Sequence, residues 1–426
     1  MYNLRYVYEH IDKPLLQPLV EMEREGVLID VPRLESLNGP IEREKSHLLD
    51  DIRYVAGYDI NPNSIKQLPV LLYDQLGLPV HPNPELYRTA NKEVLEWLRP
   101  YHDVVGTIIN HRRITKQGQF VAAILNNVGA DGRLRTHFNN TVVETGRLSS
   151  SDPINLQQIP KRIPQNSSPF ISRVIRDIRK CFIARPGWSI VKFDQAAVEY
   201  RILVCLSNDE EMIEAIQRGQ DPHLVTAARC LDISYITASE RYKFGDSELK
   251  QMRDLSKNFN YGYAYGQTEV GFCNYANANG MPMNLDQAAE IHRQMTRPAQ
   301  AAWIAKTKQF IRVHGYVTTY FGRVIKYPRP WTSSAQREGV NARIQGTSAD
   351  VMKIAMRRIW DRKRGLTPTP IQILAVHDEC VYESSNEHVD KLKEIIQKEA
   401  PSVIDDWPLR LEVEVGSGPN WAEASV

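Results

Sequence analysis

The chain has 426 residues, 42% of them hydrophobic and 24% charged, an ordinary globular composition with apolar material for about three domains. A net charge of only +2 excludes reading a nucleic-acid partner from bulk charge, so any such signal must be local. The five scattered cysteines form no CxxC pair and no apolar run approaches membrane-spanning length, which argues against zinc, a disulfide framework or a membrane anchor and for a cytoplasmic location.

Residues 1–32 carry Leu15, Leu16, Leu19 and Met22 at helical spacing, closed by EGVLIDVP. From 33 to 130, helices alternate with turn-rich links at Asn61 and His81. One of them, INHRRITKQGQF, presents Arg112, Arg113 and Lys116 without a nearby acid and is a candidate phosphate-binding surface. DGRLRTHFNNTVV, from Asp131, alternates polar and apolar residues as a strand does. TGRLSSSDPINLQQIP follows, a long loop too polar for core and of the kind that carries function. Lys161, Arg162, Arg173, Arg176, Arg179 and Lys180, against a lone Asp177, form the clearest local positive field.

WSIVKFD reads as a strand ending on Asp194, with a helix after it, and helices continue to about Arg312. Among them RDLSKNFNYGYAYG places Arg253, Lys257, Tyr261 and Tyr265 four residues apart, hence along one helical face. Asp246 or Ser247 can cap that helix, with Glu248 in its first turn. Two cations suit a polyphosphate and two rings suit a base or a ribose. GYVTTYFGRVIKYP is hairpin-like, Ala335 to Trp360 reads as one long helix, and IQILAVHDECVYE gives two strands joined at His377–Asp378.

Asp194 ends one strand and Asp378 lies at the tip of a hairpin, followed at once by Glu379. Rigid carboxylates of this kind suit a pair of divalent ions, one activating an attacking oxygen and one stabilising a leaving oxygen. Hard oxygen ligands with room for water favour Mg²⁺.

These residues resemble the polymerase portion of family A DNA polymerases. KFDQAAVEYRIL is similar to the family's first palm motif, RDLSKNFNYGYAYG to its fingers helix and LAVHDE to its His-Asp-Glu palm motif. TGRLSSSDP and the Arg337–Asp350 segment match two further blocks in the family's order, and the likeness runs from about Tyr8 to Trp421. The resemblance implies an α+β fold of right-hand architecture, with an antiparallel palm sheet, helical fingers and a helical thumb. It divides the chain into a helical segment (1–32), thumb (33–130), first palm part (131–208), fingers (209–314) and second palm part (315–426).

The same resemblance implies a template-directed DNA polymerase extending a primer 3′-hydroxyl with dNTPs. Asp194 and Asp378 would hold two Mg²⁺ ions, with Mn²⁺ able to substitute, the Gln195 carbonyl as a further ligand and Glu379 as an auxiliary acid. Glu199 would exclude a ribose 2′-hydroxyl. Arg253 and Lys257 would hold the triphosphate with help from His223, Tyr261 would pack on sugar and base, and Tyr265 would sit beside the template base. Arg147, Arg337, Asn341, Gln345 and His377 would contact the primer–template, and Arg112 and Lys116 the duplex backbone. Tyr at position 261, where bacterial members usually carry Phe, resembles the family's enzymes that accept dideoxynucleotides readily and implies the same here. Ala196 and Ala197 depart from the polar residues usual there. The chain starts where the family's exonuclease domain ends, so no proofreading is expected, and Asp246–Glu248 reads as a helix cap. A monomer is expected, served by a separate exonuclease or processivity factor. The alternatives are a single-subunit RNA polymerase and a non-catalytic primer–template binding subunit.

Overall fold

Leu16–Glu25 (α1) buries Pro18, Leu19 and Met22, and Leu15 is buried just ahead of it, but Leu16, expected on the same apolar face, is exposed. The helix stops at Gly26, where φ is +63° and a Cβ would lie 2.6 Å from the Leu134 carbonyl oxygen. Only glycine fits that turn. In this computed structural model, which describes residues 3–159, 163–164, 166–376 and 378–424, two helices then pair. They are Asn38–Ala56 (α2) and Asp103–Asn127 (α3). Ile52 and Ala56 of α2 join Val104, Val105, Ile108 and Ile109 of α3 in a cluster of their own, at the free end of the pair. Ile41, Leu48, Ile114, Val121 and Ile124, at the other end, belong to the main core instead. The pair is therefore rooted in the body of the molecule and independently packed at its tip.

The stretch from Asp131, expected as one strand, gives two short ones in different sheets, Arg133–Leu134 and His137–Asn139. Pro169–Lys180 (α4) buries Ile171, Val174, Ile175 and Ile178 beneath the sheet region. Trp188–Ala196 (β1) leads into Val198–Ser207 (α5) through Ala197, a non-glycine residue at φ +50°. Pro222–Cys230 (α6) and Ser247–Gly262 (α7) pack on each other around Leu224, Ala227, Leu255 and Phe259, a third cluster separate from the main core. Asp246 caps α7 by accepting from the Leu249 N–H at 3.0 Å, as its position predicts. The helix ends at Gly262, so Tyr265 lies in the turn beyond it rather than on the helical face.

Pro298–His314 (α8) leads into a hairpin, Tyr316–Thr318 (β2) and Val324–Lys326 (β3), and then into Ser333–Lys363 (α9), longer at both ends than expected. Ile371–Val376 (β4) and Glu379–Ser385 (β5) follow, then Val389–Glu399 (α10) and Glu412–Gly418 (β6). The central sheet has the order β6-β1-β5-β4, antiparallel throughout. Phe193, Cys380, Val381 and Tyr382 are fully buried in it. An antiparallel sheet backed by helices, with two helical projections, is the α+β arrangement expected. Among the described residues no helix is long and apolar enough to cross a membrane.

Candidate active site

Strand register builds the floor of the site. Asp194 lies opposite Glu379 on one side and opposite Glu414 on the other, and the Gln195 N–H donates to the Asp378 carbonyl at 3.2 Å. Asp194 and Asp378, 184 positions apart in the numbering, thus meet at the same end of adjacent strands. Both line a cleft of about 1430 Å³. Arg253, Lys257 and Tyr261 of α7 form one wall with His223 of α6, and Ser348, Ala349, Met352 and Lys353 of α9 form part of another. Cations face carboxylates across the space.

Several side chains are already engaged. Asp221, just ahead of α6, caps that helix with Oδ1, which accepts from the N–H groups of His223 (2.8 Å) and Leu224 (3.2 Å). Its Oδ2 takes Arg253, at 2.8 Å from Nε and 2.6 Å from Nη2. The Arg253 guanidinium also lies 5.3 Å from the Tyr242 ring. Glu199 accepts from both Arg147 and the Tyr265 hydroxyl, joining the loop before β1 to the turn after α7. Burial pushes the Glu199 carboxyl up; Arg147 pulls it down, and the Asp378 charge adds to the rise. The His223 ring is buried, packs near Tyr200 and Tyr261, and has Nδ1 3.0 Å from the Asn260 amide. Burial pushes its pKa down to about 4, so it is a neutral ring and not a third cation at neutral pH.

Glu379 departs from its expected place. It is 1% exposed, 3.2 Å from Arg179, 3.6 Å from Lys192 and 2.5 Å from the Trp421 indole N–H. Arg179 in turn lies over the Trp421 ring at 3.8 Å. Although its Cα stands opposite Asp194 in the sheet, the Glu379 carboxylate is taken up by these buried partners, and the lining of the cleft does not include it.

Arg112 also differs from the exposed cation expected. Its Nε and Nη1 donate to the Pro62 and Ala90 carbonyls, each at 2.8 Å, and burial lowers its pKa. Arg113 pairs with Glu96 at 2.7 Å, the acid that local sequence did not show. Lys116 is exposed. In the basic run, Arg179 is consumed by Glu379 while Arg173 and Arg176 stay exposed. Lys161, Arg162 and His377 lie outside the described residues.

Arg337, Asn341 and Gln345 share one face of α9, and Arg337 packs on Gly266, where φ is +80° and a Cβ would sit 2.6 Å from its Cδ. The buried Asn341 Oδ1 and both amide atoms of the Gln195 side chain have no hydrogen-bond partner among the described residues. Sequence reading missed Asp221, Glu412, Glu414 and Trp421, and it places Arg179 in an open positive field rather than against its partner Glu379. Asp221 before Pro222 carries a cap signal, but its second oxygen's partner lies across the fold.

The residues fit hard divalent ions. Asp194 and Asp378 supply carboxylate oxygens to an open cleft, while no group of three or more His, Cys, Asp or Glu able to hold a metal is present among the described residues. A two-carboxylate set suits an ion that keeps much of its water shell.

Residues 31–423 match the family model of DNA polymerase family A. The chain is 35% identical to the thermostable DNA polymerase I of Thermus thermophilus, covering 99% of this chain and 49% of that protein. It is 32% identical to DNA polymerase I of Caldicellulosiruptor bescii, covering 99% and 48%, and 31% identical to that of Bacillus subtilis, covering 98% and 46%. The chain thus spans about half the length of the curated relatives it matches. Among solved structures it is similar to the POL domain of Pol1 from M. smegmatis in complex with DNA primer-template and dNTP. The TM-score is 0.87 at 28% identity, covering 98% of this chain and 71% of that one.

Proposed function

The chain belongs to DNA polymerase family A, and from that premise we propose that it extends the 3′-hydroxyl of a DNA primer on a template with dNTPs. One observation carries the reading. Asp194 and Asp378 stand together on the sheet, opposite the α7 wall that bears Arg253 and Lys257, in a single cleft. In the reaction the primer oxygen bonds to the α-phosphorus, the bond to the β-phosphate breaks, and the hydroxyl proton and pyrophosphate leave.

Members of the family depend on divalent metal ions. Asp194 and Asp378, with the Gln195 carbonyl, would hold two of them, Mg²⁺ by the hardness of the donors. When bound, they polarise the attacking oxygen and offset charge on the leaving one. The chain's own residues do the positioning. Arg253, released from Asp221, and Lys257 grip the triphosphate, and Tyr261 backs the sugar and base. Glu199, fixed between Arg147 and Tyr265, occupies the place a ribose 2′-hydroxyl would need. With these groups in place before reaction, catalysis is mainly orientation and charge stabilisation.

The remaining proposals follow the same frame. The α2–α3 pair, with exposed Lys116, lies along the duplex as a thumb, and α6–α7 and their neighbours serve as fingers. Arg147, Arg337, Asn341 and Gln345 contact the primer–template, where degenerate minor-groove acceptors tolerate any sequence. Primer extension with dNTPs and Mg²⁺ on a DNA template tests the reading. Incorporation complementary to the template supports it, and binding of primer–template without extension would point to a silent relative.

A further inference from the structure

Between Glu290 and Glu338 the chain carries nine lysines and arginines and no acid. This field is longer than the run at 161–180. Arg293, Arg297 and Arg323 are consumed by Glu290, Asp209 and Asp350. The other six form no ion pair with the described residues; Lys306, Arg312, Lys326, Arg329 and Arg337 are exposed and Lys308 is half-buried.

Aromatic rings stand among these cations. On α8, Lys306, Phe310 and His314 follow at intervals of four and share an exposed face. Phe310 is 40% exposed, its ring 4.3 Å from His314 and 5.4 Å from Tyr316 of β2. Tyr316 pairs in register with Lys326 of β3. Trp331, 66% exposed, enters the same surface because its neighbour Pro330 packs against Gly315 at the end of α8. Rings left partly bare and interleaved with unneutralised cations match what a single nucleic-acid strand needs, with the carboxylates of Glu144 and Glu338 near Tyr327. Bases stack on the rings and phosphates run along the cations, without sequence preference.

The patch is continuous with the cleft. Trp331 precedes α9 directly. Arg337, on the first turns of that helix, abuts Gly266 beside Tyr265, and later turns of α9 line the cleft itself. At 1.5 Å per residue, Trp331 and Ser348 lie about 25 Å apart along this route. We infer that the α8–hairpin–Trp331 surface is a second binding site, outside the cleft, for single-stranded DNA. Resting on the polymerase reading, the strand it holds is unpaired template.

The test uses the full chain and labelled primer–templates with 5′ template overhangs of about two or about fifteen nucleotides, bracketing the range of single-strand site sizes. Anisotropy titration is expected to show roughly tenfold tighter binding to the long overhang, from stacking on two rings. Phe310→Leu with Trp331→Ala, both at exposed positions, should remove that gain and leave short-overhang binding unchanged. Lys326→Gln should reduce the salt slope of the long-overhang complex by about 0.7. A wild-type affinity indifferent to overhang length, or a gain that survives the ring substitutions, overturns the inference; a surface made for a protein partner gives that result. Extension of the short-overhang substrate reads the polymerase proposal separately.

Discussion

Asp221→Asn separates two tasks that one carboxylate performs. The cap on α6 uses Oδ1, and asparagine caps about as well as aspartate, so the helix start is retained. The charge on Oδ2, which holds Arg253 through two contacts of 2.6–2.8 Å, is lost. A partly exposed, charge-assisted pair of this kind contributes about 1.5 kcal/mol, close to a factor of ten in an equilibrium constant. Nucleotide binding must break that pair before Arg253 can reach a triphosphate. Steady-state single-nucleotide incorporation should therefore show KM for dNTP falling roughly tenfold with kcat little changed, the pattern of altered ground-state binding. In an Arg253→Ala background the same substitution should have no effect on KM, since the partner is gone. A rise in KM on Asp221→Asn would refute the competition and show that Asp221 orients Arg253 for the substrate instead.

Three further outcomes test other parts of the site. Tyr261→Phe should lower incorporation of dideoxynucleotides relative to dNTPs at least about tenfold in a competitive extension assay, as expected if the phenol hydroxyl fills the place of the missing sugar hydroxyl; strong rejection of ddNTPs by the wild type would contradict this. His223 has a pKa near 4 in the fold against 6.5 when unfolded, so the unfolded chain binds the proton more readily and stability falls as pH drops through that window. Denaturant unfolding at pH 7 and pH 4.5 should show the wild type losing about 2 kcal/mol more than His223→Gln, and equal losses would remove the assignment. Glu379→Gln strips the charge from a fully buried pair with Arg179, so it should destabilise by about 3–5 kcal/mol while leaving kcat of the folded fraction near wild type. A large fall in kcat at unchanged stability would return Glu379 to the chemistry.

What the sequence made legible was local. Periodicity and strand ends located Asp194, Asp378 and the α7 cations, because each depends on residues within one turn or one hairpin. Asp246 was readable as a cap for the same reason. Reach across the fold was not readable. Arg112 looks free in its own helix, yet the carbonyls of Pro62 and Ala90 claim it from 50 and 22 residues away. Glu379 shares a motif with Asp378, but Arg179 and Trp421, 200 and 42 residues away, take up its carboxylate in the interior, and no local pattern reveals that. The row of four on α7 ends at three because the helix ends at Gly262, and Tyr265 instead meets Glu199 from the turn. The acid-free stretch before Glu338 was passed over in the sequence, because it becomes a surface only where α8 and its hairpin pack together.

The central claim is that Asp194 and Asp378 form the chemical floor of the cleft. Primer extension by Asp378→Ala, with primer–template affinity measured in parallel by anisotropy, tests it most directly. Losing a carboxylate that holds a catalytic ion should lower the extension rate at least about a thousandfold, with duplex binding within about threefold of wild type. Extension at the wild-type rate by a folded, DNA-binding Asp378→Ala protein would contradict the account.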